Sequence, residues 1–216
     1  MLSFIKAESF KLSKKLKSWL GPLLVMVLVL IAFPLSIDIS QYDLDKFYFS
    51  IIVVSLLMTA FVATEGMFEE DFEDGSLEQE FLKEKDFYKL VISKIFVYVC
   101  LIGIPIALIG ALFSFANGVA IGSFGKVFLL LGLSNLLLFN LFAFGNALSI
   151  NKGALLGVLS SLPLALPVII LLGRAIRSIQ YGDGFFEVVT LMAGIGLMLS
   201  AIMPLIISAT LKTHID

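Results

Sequence analysis

Ten of the chain's 17 acidic residues lie between Glu65 and Asp86, most of them in FEEDFEDGSLEQEF, residues 68–81. The rest of the sequence is oily: 59% of its 216 residues are hydrophobic and the mean hydropathy is +1.05. So many carboxylates cannot lie in hydrocarbon, and the stretch must sit outside it. Other reactive side chains are few. Cys100 and His214 are each the sole residue of their type, so neither an internal disulfide nor a same-type pair of metal ligands can form. GSFGKVF (122–128) has Gly and Lys, but not the G-x-x-x-x-G-K-[ST] spacing that wraps a phosphate, and it is expected on an external loop. No carboxylate or arginine falls in the middle of an apolar stretch, and only Lys94 comes close. That argues against transport driven by a buried proton relay.

The acidic stretch has an apolar skeleton at helical spacing. Phe68 and Phe72 are four apart, as are Leu77 and Phe81, and side chains four apart share a helix face. Between the pairs comes Asp74-Gly75-Ser76. Gly75 can take the left-handed conformation that ends a helix. Ser76 can cap the next one, with Gln79 reaching back in a capping box and Glu78 favoured in the first turn by the helix dipole. The expected form is helix, sharp turn, helix: a hook. A solvated charge run needs no Phe, so the preferred reading has Phe68, Phe72 and Phe81 facing the cytoplasm as a partner surface, since aromatics are enriched in such surfaces. The simpler alternative has them packing back towards the membrane.

These residues need a frame, and the hydropathy supplies it. Crossing ~30 Å of hydrocarbon takes about 20 apolar residues. Six stretches serve: 20–37, 47–64, 93–115, 127–150, 154–172 and 188–211, with the hook between the second and third over 65–88. The expected fold is an all-α membrane protein, one transmembrane domain over 1–216, and the apolar excess is well above that of soluble domains. Six spans put both termini on one side. With the hook and the 151–153 turn, that side holds eleven of the 15 basic residues, against Lys46, Lys126, Arg174 and Arg177 on the other, so it is read as cytoplasmic. Residues 2–20 read as an amphipathic interfacial helix, with Leu2, Ile5, Leu12, Leu16, Trp19 and Leu20 on one arc and the lysines elsewhere; a basic flank that only fixes topology is the alternative. The apolar run that follows is too long for a signal peptide and lacks a small-residue cleavage site, so a retained first span is expected. GRAIRSIQYGDGFFE (173–187) reads as a second surface segment, on the outer face.

Within the spans, Asn135 and Asn146 are eleven apart and share one side of a helix, with Phe142 and Ser149. They could line a solute path, but bonding between helices is the preferred reading. Pro163 and Pro167 should kink or break the fifth span, and freed backbone groups are tolerated where a cavity covers them; kink and pathway are held level. Gly103, Ala107 and Ala111, like Gly196 and Ser200, recur at a spacing that permits close helix packing. Pro34 and Ser36 should shape the outer end of the first span.

Taken in order, FPLSI (33–37), DGSLEQ (74–79) and LPLALPVIIL (162–171) resemble the CcmB family over essentially the whole chain. The resemblance implies an ABC-2-like membrane subunit of haem export in system I cytochrome c maturation, in the bacterial cytoplasmic (inner) membrane or, alternatively, the mitochondrial inner membrane. It implies a separate ABC ATP-binding subunit, haem-handling membrane proteins and a periplasmic haem chaperone as partners, with a homodimer as a further arrangement and no nucleic acid. It makes Phe68, Asp71, Phe72, Gly75, Ser76, Leu77, Glu78 and Gln79 the ATPase-coupling residues. Glu80 departs from the family pattern, which has an apolar residue there, and leaves the docking face open.

No catalytic residue is expected, and ATP hydrolysis is assigned to the partner. Haem iron usually takes His, Cys, Met or Tyr. His214 is terminal, Cys100 is read as a packing residue and the methionines are scattered, so no directly bound cofactor is expected. Haem would be ligated on a partner, and release of a loaded haem chaperone is favoured over passage of haem through this chain. Two rivals stay open. An ABC-2 permease for a drug, lipid or glycan would change substrate selection on replacement of Asn135 or Asn146. A non-transporting assembly scaffold would work with an ATPase-dead partner.

Overall fold

The computed structural model of the protein describes residues 2–36, 44–83, 87–150, 154–182 and 184–215. Among these residues the regular structure is entirely helical. Helix α1 (Leu2–Lys14) leads into α2 (Leu16–Ser36) and α3 (Leu44–Thr64). The hook follows as α4 (Glu69–Glu73) and α5 (Ser76–Lys83). The third span is α6 (Tyr88–Tyr98), a π-turn (Val99–Gly103) and α7 (Ile104–Ala116). The chain closes with α8 (Ile121–Ser149), α9 (Ala154–Tyr181) and α10 (Phe185–Ile215). Six of these segments are long and apolar enough to cross a membrane, as the hydropathy requires.

α8 is the hub, packing against α3, α6, α7, α9 and α10. Its contact with α9 is the most extensive between helices, because two glycines let the backbones meet. A Cβ on Gly145 would lie 2.7 Å from the Gly157 carbonyl oxygen, and one on Gly157 would lie 2.8 Å from the Gly145 oxygen. The small residues of the third span serve a similar contact. Ala107 and Ala111 are fully buried, and a Cβ on Gly103 would touch Phe139 of α8. Gly196 lies against Leu136, and Ser200 accepts a bond from Asn140 of α8 at 3.5 Å, so both small-residue faces pack within the chain. α7 ends in a Schellman motif: Gly118 is left-handed at φ +89°, Val119 N–H donates to the Ser114 carbonyl, and Gly118 N–H donates to that of Phe115.

Outside this core, α2, α9 and α10 expose apolar faces, among them Leu28, Leu35, Leu159, Ile170 and Leu197. Hydrocarbon is the solvent that tolerates them.

Several expectations change. α9 is helical without a break through Pro163 and Pro167, and both prolines lie on its exposed side. α9 continues to Tyr181 and α10 starts at Phe185, so 173–187 is the tip of a helical hairpin rather than a separate surface segment. GSFGKVF is the start of α8, not a loop. The amphipathic N-terminal segment is two helices interrupted at Lys15. α1 packs against α6, burying Leu12 and setting Ile5 against the core.

Candidate functional site

The hook turns where the sequence places the turn. Gly75 is left-handed at φ +70°, and α4 closes with Asp74 N–H on the Glu70 carbonyl and Gly75 N–H on that of Phe72. The start of α5 is held differently from a capping box. The Asp74 carboxylate accepts the Ser76 N–H at 2.9 Å, while the Ser76 hydroxyl donates back to the Asp71 carbonyl at 3.2 Å. Asp74 is thus the capping side chain, and its bonds with Ser76 hold its carboxyl below the usual carboxylate range. Gln79 donates its backbone N–H to the Gly75 carbonyl, and its side chain is exposed.

The aromatic side chains do not form an outward surface. Phe68 is 0% and Leu77 1% exposed, and Phe72 and Phe81 are half-buried. Phe81 meets Phe87 edge-on, with the Lys212 ammonium 5.3 Å above its ring. Burying these rings removes apolar area from water, which decides between the two readings. The face left to solvent carries Glu69, Glu70, Glu73, Asp74, Glu78 and Gln79, with Leu82 83% exposed.

The acids meet bases from the same chain. Asp71 is bracketed by the ammonium groups of Lys11 from α1 and Lys94 from α6, and Lys15 pairs with Glu70. Lys94 is 3% exposed, and Glu8 stands 3.6 Å from its nitrogen. Such a cation needs its partners, because an uncompensated buried charge is costly. Burial pulls the Lys11 ammonium down, but the hydrogen bond and charge of Asp71 outweigh it and hold the group above the ordinary lysine value.

Burial, and then the nearby Asp71 carboxylate, push Glu80 above the usual carboxylate range, with Lys94 opposing. Below its unfolded pKa near 4.5, Glu80 is protonated folded and unfolded alike. As pH rises through the raised folded value, ionisation favours the unfolded chain. Glu80→Gln therefore raises the melting temperature in detergent at pH 7 and leaves it unchanged at pH 4; equal gains at both pH values would contradict this.

The two span asparagines bond to backbone. Asn146, near the end of α8, accepts the Phe68 N–H at 3.0 Å, so it fastens the start of the hook to the fourth span. Asn135 donates to the Gly103 carbonyl at 2.8 Å. Asn135 thus bonds across to the third span, while Asn146 bonds to the turn that leads into the hook. Sequence reasoning missed Lys11 and Lys15 as hook partners, Glu8 as a neighbour of Lys94, Asn140 as a second fully buried amide beside Asn135, and the π-turn. Lys11 and Lys15, one helical turn apart beside an acidic partner, and Pro105, two residues past Gly103, were the available signals.

Among the described residues, six membrane-length helices, with a charged hook clamped onto one end of the bundle, define a polytopic all-α membrane protein. The family model described as CcmB protein matches residues 5–214, and the chain belongs to that family. It is 29% identical over 197 residues to heme exporter protein B of Pseudomonas aeruginosa, covering 90% of this chain and 88% of that one. It is 28% identical over 221 aligned residues to heme exporter protein B of Haemophilus influenzae, covering 100% and 98%. The protein of the same name from Escherichia coli K12 is 32% identical over 89 residues, covering 41% of this chain and 40% of that one.

Proposed function

We propose that this protein is the membrane subunit of a haem exporter serving cytochrome c maturation, driven by a separate ATP-binding subunit that docks on the hook. The observation that carries the reading is the family match over nearly the whole chain, with relatives named heme exporter protein B. Those names favour haem over a drug, lipid or glycan as the cargo. The protein sits in the bacterial cytoplasmic membrane with the hook and both termini inside, where most of its lysines fall. Its further partners are haem-handling membrane proteins and a periplasmic haem chaperone, and haem is ligated by them.

The hook divides the coupling residues into two sets. Phe68, Asp71, Phe72 and Leu77 hold the hook against the spans, and Gly75 and Ser76 shape its turn. Glu78 and Gln79, joined by Glu69, Glu73 and Leu82, face outward and form the docking face. A groove that receives it is basic, with an apolar slot for Leu82, since charge complementarity sets register and excludes wrong partners.

The test is co-purification in mild detergent. Glu73→Lys with Glu78→Lys, and separately Leu82→Asp, should cut recovery of the ATPase about tenfold, a change of about 1.4 kcal/mol, while the membrane partners stay bound. Retention of the ATPase by both variants would place docking elsewhere. Its absence from the wild-type preparation would remove the ATP-driven reading.

A further inference from the structure

The third span is a helix with a joint in its middle. At the π-turn the Ile104 N–H reaches back five residues to the Val99 carbonyl instead of four. Pro105 is the local cause. Its ring carries no N–H for the Leu101 carbonyl and crowds it, and a single wide turn absorbs the conflict. Such turns are rare and recur at working sites.

α8 grips the arm between the hook and this joint at both ends. Asn146 holds the hook through the Phe68 N–H. Asn135, the middle residue of the 29-residue α8, holds the π-turn through the Gly103 carbonyl. The two amides are about 16 Å apart along the helix, from the rise per residue. Between them, the Asp71–Lys94 pair ties the hook to α6 itself. The Asn135 amide is only half used: its Oδ1 is buried and without a partner. A joint that served only to hold would be better made by two satisfied groups or by apolar packing.

We propose that α6 is a lever, with the π-turn at Val99–Gly103 as its pivot and Asn135 as the positioning residue that pins it. The proposal rests on the hook being the coupling element. When the docked ATPase displaces the hook, Asp71 and Lys94 carry the movement into α6. The arm tilts about Gly103, and the displacement arrives at the middle of the bilayer, where α7 and α8 meet.

The test uses the complete complex in lipid nanodiscs, with its ATPase, and reads amide hydrogen exchange with and without a non-hydrolysable ATP analogue. In the wild type, nucleotide should change exchange several-fold both in the hook (68–83) and across 99–107, and leave α2 unchanged. Asn135→Leu should keep or raise the melting temperature and leave ATPase activity near wild type. Haem delivered per ATP hydrolysed should fall about tenfold, a usual size for coupling between two sites. A response in the hook without one across 99–107 overturns the lever and leaves the coupling hook standing. Parallel loss of melting temperature, ATPase activity and delivery in Asn135→Leu makes Asn135 merely structural and also overturns it. No response in the hook at all defeats the coupling reading, and the lever with it.

Discussion

Lys94→Met will destabilise this protein on the order of 3 kcal/mol, because it strips a buried carboxylate of its best-buried partner. Among the described residues, Asp71 then keeps only Lys11, whose side chain is 36% exposed against 4% for Lys94. The matched control is Lys15→Met. Its pair with Glu70 is at the surface, and such pairs contribute less than about 1 kcal/mol. Adding Asp71→Leu to Lys94→Met should restore much of the loss, since no unpaired charge is left inside and Lys11 can reach water. Unfolding in detergent, followed by tryptophan fluorescence from Trp19 or by circular dichroism, checks all three variants. Equal effects of Lys94→Met and Lys15→Met would mean that the cluster is solvated in the working protein.

The second large effect lies at the other side of α8. Gly145→Ala sets a methyl group 2.7 Å from the Gly157 carbonyl oxygen and 2.8 Å from Ser161 Cβ. The nearest obstacle is backbone, which no rotamer change can relieve, so the α8–α9 hairpin must spread. Gly157→Ala meets the Gly145 oxygen at 2.8 Å and should behave alike. Overpacking of this kind costs about 1–3 kcal/mol. Gly132→Ala, also in α8 but with nothing within 4 Å of the added carbon, should stay within about 0.5 kcal/mol of wild type. Thermal unfolding of the three variants in one detergent decides the matter. A tolerant Gly145 would show that the helices do not approach as closely as the glycines permit.

Much of this architecture was legible. Long apolar runs can satisfy their backbone only as helices in lipid, so six spans follow from hydropathy. Asp74-Gly75-Ser76 marked the turn of the hook because Gly75 needs a left-handed backbone. The spacing of Phe68 and Phe72 said that they share a face, but not what that face meets. Only the packed bundle shows Phe68 sealed beneath Lys94, 5.5 Å from its ring. Asn146 was visible as a polar residue that must find a partner; that the partner is the Phe68 N–H, 78 positions away, is a fact of assembly. Gly145 and Gly157 lie on different helices, so no spacing rule within one helix could pair them. Pro105 was readable by the same rule applied to Pro163 and Pro167.

The clasp of α1 on the hook also fixes an order of events during synthesis. Lys11 and its partner Asp71 are 60 residues apart. At ordinary elongation rates, Lys11 leaves the ribosome roughly 3–12 s before Asp71 does. For that interval the N-terminal lysines are unneutralised cations beside the first span, in the form that an insertion machinery reads when it orients a helix. Once the hook and α6 have emerged, the same ammonium groups are taken up by carboxylates. One set of charges thus acts first as an address for the nascent chain and later as a fastening in the finished one.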